Sequence, residues 1–237
     1  MKIETLEYSD GETTFLGYLA DPEGSGRRPG VLIAHEASGL NDHPKRRARM
    51  IAELGYVALA ADLYGNGRTA QKPEESQQLM NPLREDNPRL RRRTRAGLDA
   101  LAKRANVDPR RLGTMGYCFG GLAVLELART GAPVAGTVSF HGILGTKTPD
   151  EAKNITGKIL VCTGADDPLV PPEQVSAFSA EMSKAGVDWQ VVTYGGAKHA
   201  FTNPDANRPP VLEYNAAADA RSWEAMRSFW FELFGKP

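Results

Sequence analysis

The sequence predicts an α/β fold: a mostly parallel central sheet, helices on both faces and an N-terminal antiparallel hairpin. Three observations carry this expectation. Short apolar runs alternate with helix-like stretches along most of the chain, the pattern of successive βα units. Runs such as Gly30-Val31-Leu32-Ile33-Ala34 are continuously apolar, as strands buried on both faces are. The first twenty residues instead hold two runs, Ile3 to Tyr8 and Thr13 to Leu19, around a Ser9-Asp10-Gly11 turn, a hairpin signal.

After a Gly- and Pro-rich loop from Pro22 to Pro29, Gly30 to Ala34 reads as the first buried strand. Lys45 to Leu54 reads as a helix ended by Gly55, where a left-handed cap fits. Tyr56 to Ala61 is a strand, and Tyr64 to Leu90, rich in turn residues, is expected to form the roof of a pocket. A helix follows over Pro88 to Ala105, then a strand over Arg111 to Tyr117, a helix over Gly120 to Arg129 and a strand over Val134 to Phe140. Lys158 to Thr163 is a strand, Pro172 to Ala185 a helix and Val187 to Thr193 a strand. The last helix spans Leu212 to Leu233, where Trp223, Met226, Trp230 and Leu233 make one apolar stripe.

The bulk numbers narrow the class. The 237 residues suit one domain over 1–237, and 41% apolar residues can fill a substantial core. Lys and Arg number 29, as do Asp and Glu, so the balance gives no reason to expect nucleic acid or an anionic membrane as partner. The basic run Arg89 to Arg95 is expected as a solvated helix face. No stretch approaches the roughly 20 apolar residues of a spanning helix. The N-terminus lacks the apolar core of a signal peptide, so a cytoplasmic protein is expected. A reducing cytosol argues against a bridge between the two cysteines, Cys118 and Cys162.

Ligands of such sheets sit beyond the carboxyl ends of the strands. There the strand Leu112 to Tyr117 runs into Gly116-Tyr117-Cys118-Phe119-Gly120, with a helix at once after it. This is the G-x-S-x-G nucleophile elbow of α/β-hydrolase folds, with cysteine for serine. The glycines are needed because side chains there would clash. The turn places the sulfur at a helix N-terminus, whose partial charge favours thiolate. A tyrosine-phosphatase loop is excluded, since Val124 stands where its arginine belongs.

A thiol needs a base. In this fold the order is nucleophile, acid, histidine. Of the histidines at 35, 43, 141 and 199, only His199 follows a late strand, in Gly195-Gly196-Ala197-Lys198-His199. The acid belongs in the loop after Ile159 to Thr163, where Asp166 and Asp167 compete. Asp167 is chosen for its three-residue offset to Val170-Pro171, which leaves Asp166 as a turn or capping residue. Cys162, inside an apolar strand, reads as core. For an oxyanion, the backbone N–H groups of Phe119 and Ala37 are the candidates. Glu36, beside Ala37, could accept the Cys118 proton, pair with a cation, or be an exposed loop acid.

Together these residues resemble the dienelactone hydrolase family. Gly-Tyr-Cys-Phe-Gly-Gly at 116–121, His35-Glu36 before Gly39-Leu40-Asn41, and Ala61-Asp62-Leu63-Tyr64-Gly65 fit its pattern. So do Asp167 before Val170-Pro171, His199-Ala200-Phe201, and the tail from Tyr214-Asn215 through Asp219 to Trp223. The resemblance implies a catalytic Cys118, Asp167 and His199, with Glu36 helping to take the thiol proton. It also implies arginines that hold a substrate carboxylate, one of them four residues past the histidine. Asn203 stands there instead, and an amide cannot give guanidinium's bidentate, charged grip. Arg84 and Arg208 are possible replacements.

The expected function is hydrolysis of small, neutral carboxylic esters or lactones through a thioester, with no metal and no cofactor. The partners are a small-molecule ester and water, and the chain is a monomer or homodimer. Asn203, His141 and Arg84 are candidate substrate contacts, although a structural His141 is an equal alternative. A second reading is hydrolysis of neutral organophosphate triesters by the same three residues. A non-enzymatic reading is a ligand-binding pseudo-hydrolase. A thiol-redox role lacks an evident resolving cysteine.

Overall fold

The apolar runs pair into one eight-stranded sheet. The structure, a computed structural model, describes residues 1–235. Strands β1 (Lys2–Ser9) and β2 (Thr14–Asp21) form the antiparallel hairpin at one edge. β2 pairs antiparallel with β4 (Val57–Ala61). The other strands run parallel: β3 (Arg28–Ala34), β5 (Val107–Tyr117), β6 (Gly136–Phe140), β7 (Lys158–Gly164) and β8 (Trp189–Tyr194). Their order, β1-β2-β4-β3-β5-β6-β7-β8, turns back at β3. The loops after β3 and β5 therefore flank a topological switch point, where α/β sheets bind ligands. Ala34 and Gly116 are register partners at the ends of those two strands.

Both faces are covered, as the continuous apolar runs require. Val31 and Ile33 of β3 face α1 (Asp42–Glu53) and α6 (Ala216–Phe234) in one core cluster, with Ile51, Met226 and Trp230. Leu32 and Ala34 face α3 (Asn87–Ala102) and α4 (Phe119–Arg129) in another. Helix α5 (Pro172–Ala185) covers Ile159 and Val161 of β7.

Three expectations are corrected and one segment is filled in. The roof segment, read only as rich in turn residues, contains a helix, α2 (Pro73–Glu85). Its prolines read as turn signals, yet Pro73 sits at a first-turn position that lacks a hydrogen-bond duty, and Pro82 is carried within the helix. Helix α1 begins at Asp42, not Lys45, because the Asn41 side chain accepts from the His43 N–H and caps it. Helix α6 starts at Ala216, not Leu212. Asn215 caps it, and Leu212–Glu213 (β10) pairs instead with Asn207–Arg208 (β9). The basic run is not a solvated face throughout: Arg93 is buried and donates to the Leu63 and Tyr64 carbonyls, and Arg91 pairs with Glu126 and Glu151. Among the described residues no helix is long and apolar enough to cross a membrane.

Candidate active site

Cys118 sits between β5 and α4 with φ 53° and ψ −115°. This is a strained backbone for a residue with a side chain, of the kind that the surrounding fold must enforce. The close packing is measurable. A Cβ on Gly116 would lie 2.1 Å from the Gly120 carbonyl oxygen, and one on Gly120 would lie 2.2 Å from that of Ala34. The Cys118 N–H donates to the Phe140 carbonyl at 3.0 Å, which ties the elbow to β6. His141 and Ala200 share the positive φ, so strain gathers around this one site.

His199 and Asp167 converge here from the loops after β8 and β7. The His199 Nδ1–H donates to Asp167 Oδ2 at 2.8 Å, and the Leu169 N–H fixes Asp167 Oδ1 at 2.8 Å. That leaves the Nε2 edge, which has no hydrogen-bond partner among the described residues. Burial pulls the imidazole pKa down, but the Cys118 sulfur and the Asp167 carboxylate outweigh it and raise it to about 10. Asp166 is exposed, and Cys162 is buried in β7.

The loop after β3 is organised by residues that sequence reasoning noticed only as pattern. The Leu63 N–H donates to His35 Nε2, so the His35 Nδ1–H donates to the Glu36 carbonyl at 2.7 Å. The Tyr64 hydroxyl donates to the Ala37 carbonyl at 2.8 Å, and its ring stacks on Phe119. The buried Asp62 carboxylate accepts from the N–H groups of Leu16, Tyr64, Gly65 and Gly67. An acid followed by turn residues after a strand was the available signal. Among the described residues, the Ala37 and Phe119 N–H groups have no protein acceptor.

Glu36 is not an exposed loop acid. It is 6% exposed, and its Oε2 accepts from the Asn203 amide at 2.7 Å with His43 Nδ1 at 3.3 Å. Burial opposes its charge, but His43, His141 and the Asn203 amide prevail and hold the carboxyl down at about 2. Its Oε1 has no hydrogen-bond partner among the described residues.

Two cavities meet at Cys118 and His199. The larger, about 420 Å³, is lined by Glu36, Ala37, Met80, Asn203 and Arg208 among others. The smaller, about 70 Å³, is walled by Phe119, Leu122, Ile143 and Leu169, with Arg84 at its edge. Helix α2 supplies Pro73, Ser76, Gln77 and Met80 to the larger one, so the roof is helical. His141 lines neither. It lies fully buried behind His199, ring centroids 5.3 Å apart, and hydrogen-bonds with Thr202 Oγ1 at 2.8 Å. A substrate contact through His141 is therefore replaced by support of the His199 loop.

A strained elbow at a sheet switch point, an Asp–His pair facing it and unpaired N–H groups beside it define an α/β hydrolase. The dienelactone hydrolase family profile matches residues 15–234, and the chain belongs to that family. Its hydrolases act on ester and lactone bonds. A putative carboxymethylenebutenolidase of Saccharolobus solfataricus is 31% identical, over 97% of this chain and 98% of the relative. A probable 2-oxo-3-(5-oxofuran-2-ylidene)propanoate lactonase of Bradyrhizobium is 30% identical over 85% of each. Among solved structures, a dienelactone hydrolase-like promiscuous phosphotriesterase from metagenomic libraries is 44% identical, with a TM-score of 0.95 over 99% of each chain.

Proposed function

We propose that the chain hydrolyses small neutral esters or lactones with Cys118 as nucleophile, His199 as base and Asp167 as the orienting acid. The observation that carries this reading is the His199 ring, held through Nδ1 by Asp167 with its other edge left for the sulfur. The thiol proton passes to His199, whose pKa the sulfur and the Asp167 carboxylate raise. The thiolate adds to the carbonyl carbon, and the Ala37 and Phe119 N–H groups receive the oxyanion. Collapse expels the alcohol, protonated by His199, and leaves a thioester. Water, deprotonated by His199, then releases the acid and restores the thiol.

Neutral substrates follow from the charges at the site. Asn203 spends its amide on Glu36, and Glu36 stays ionised on the cavity that Cys118 also lines. A carboxylate seated at Glu36 would meet repulsion, and the guanidinium of this cavity, Arg208, stands at its exposed rim. Rapid quenching during turnover of a nitrophenyl ester should yield protein carrying one acyl mass on Cys118. Cys118→Ala should carry none and lose at least about a thousandfold in kcat. An acyl adduct on another residue would overturn the assignment.

The 44% identical phosphotriesterase favours a second reading for the same residues. Here the thiolate displaces nitrophenolate from phosphorus, and water then cleaves the S–P bond. Steady release of nitrophenol from a neutral triester, absent in Cys118→Ala, supports it. A single stoichiometric burst contradicts it.

A further inference from the structure

The mechanism above gives Glu36 no proton to hold, yet the fold invests a buried network in it. Arg47, 2% exposed, stands one helical turn after His43 on α1. Its Nε–H donates to His43 Nε2 at 3.3 Å, which leaves the ring proton on Nδ1, 3.3 Å from Glu36 Oε2. Arg47 Nη2 donates to the Thr202 carbonyl at 2.6 Å and to Asp219 Oδ1 at 2.5 Å. One guanidinium thus braces the Glu36 side, the His199 loop and the start of α6 together. Among the described residues the one hydrogen bond to the Glu36 carboxylate, from the Asn203 amide, falls on Oε2, and His43 Nδ1 lies 3.3 Å from the same oxygen without hydrogen-bond geometry. Oε1 is left with no donor, in a side chain that borders the larger cavity.

A buried carboxylate with an unfilled oxygen is costly unless a donor completes it. We propose that Glu36 is a recognition subsite for a hydrogen-bond-donating substituent of the substrate, an ammonium or a hydroxyl, and that Arg47 and His43 position it. This rests on the hydrolytic reading above and names its substrate class. The other charges on the cavity are Asp205 and Arg208, both at its exposed rim, and the Cys118–His199 pair. Arg84 belongs to the smaller pocket. Around Arg47 itself lie Asp219, Tyr214 and the Tyr117 ring.

The test uses four butanoate esters of matched length, whose alcohol ends in methyl, hydroxyl, ammonium or carboxylate. Proton release at fixed pH gives kcat/KM. The wild type is expected to favour the ammonium ester over the carboxylate ester by at least about tenfold, with the hydroxyl ester above the methyl one. In Glu36→Gln the ammonium-to-carboxylate ratio should collapse toward one. In Arg47→Met, and less in Arg47→Lys, the ratio should shrink and its pH dependence should shift, because the His43 ring that faces Glu36 Oε2 is no longer held in place. Loss of folded protein alone would lower all four rates and leave the ratio and its pH dependence unmoved. A wild-type ratio near one, or one untouched in Glu36→Gln, overturns the proposal. A second readout needs no turnover. 1-Aminobutane should protect Cys118 from iodoacetamide better than butanoate does, and Glu36→Gln should erase the difference. Protection without any ester hydrolysis would sink the hydrolytic reading and leave the subsite standing; hydrolysis without the ratio would do the reverse.

Discussion

A charge at Glu36 survives burial because its neighbours outweigh the desolvation cost, and that balance has a stability consequence. A carboxyl held at about 2, against an ordinary value of roughly 4.3, is depressed in the folded state. Its contribution is present above the ordinary pKa and is lost as pH falls toward the folded one. Melting temperature in the wild type should therefore drop steeply below about pH 4.3. Glu36→Gln should show a shallower drop across the same window, and an identical acid limb in both would contradict the shift. At this scale much was legible. Cys118, His199 and Asp167 were readable as candidates that converge because an elbow, a glycine loop and a Val-Pro offset each leave local spacing. Glu36 was legible as an anomaly but not as a buried anion, because its partners His43 and Asn203 are 7 and 167 residues away. Arg47 left no local signal, since its contacts arise only when α1, the His199 loop and α6 meet.

At the scale of elements, the elbow is a packing contact as much as a turn. Gly120→Ala would drive a methyl into the end of β3, 2.2 Å from the Ala34 carbonyl oxygen and 2.7 Å from that of His35. Relief must move β3 or the α4 N-terminus, at about 1–3 kcal/mol. A fall of roughly 2–4 °C in melting temperature per kcal/mol follows. Activity should fall further than stability does, since the same shift displaces the Ala37 loop. Ester turnover and thermal melting of the variant check both, and a fully active Gly120→Ala would contradict the packing argument. Strands buried on both faces were legible from their unbroken apolar runs. Helix α2 was not, because only tertiary packing of Leu83 and its neighbours decides whether a proline-bearing polar segment becomes a helix.

Across the whole molecule, α6 closes one face of the sheet behind the site. Trp230 is fully buried, and a Cβ on Gly113 would lie 2.7 Å from its ring. The strand is bare there so that the indole can lie on it. Trp230→Ala should cost about 3–5 kcal/mol in denaturant unfolding, with the midpoint shifted and the site residues untouched. A cost below about 1 kcal/mol would be too small for a fully buried indole. The 223-226-230-233 stripe showed this helix in the sequence, whereas the β9–β10 pairing before it rests on non-local contacts that no period reveals. The central claim is that this fold presents Cys118 as the nucleophile. The most direct measurement is nitrophenyl acetate turnover during graded alkylation by iodoacetamide, with the labelled site read by mass spectrometry and the buried Cys162 as internal control. Activity should fall in proportion to label on Cys118 and reach zero at full occupancy. Turnover that survives complete Cys118 alkylation would contradict the account.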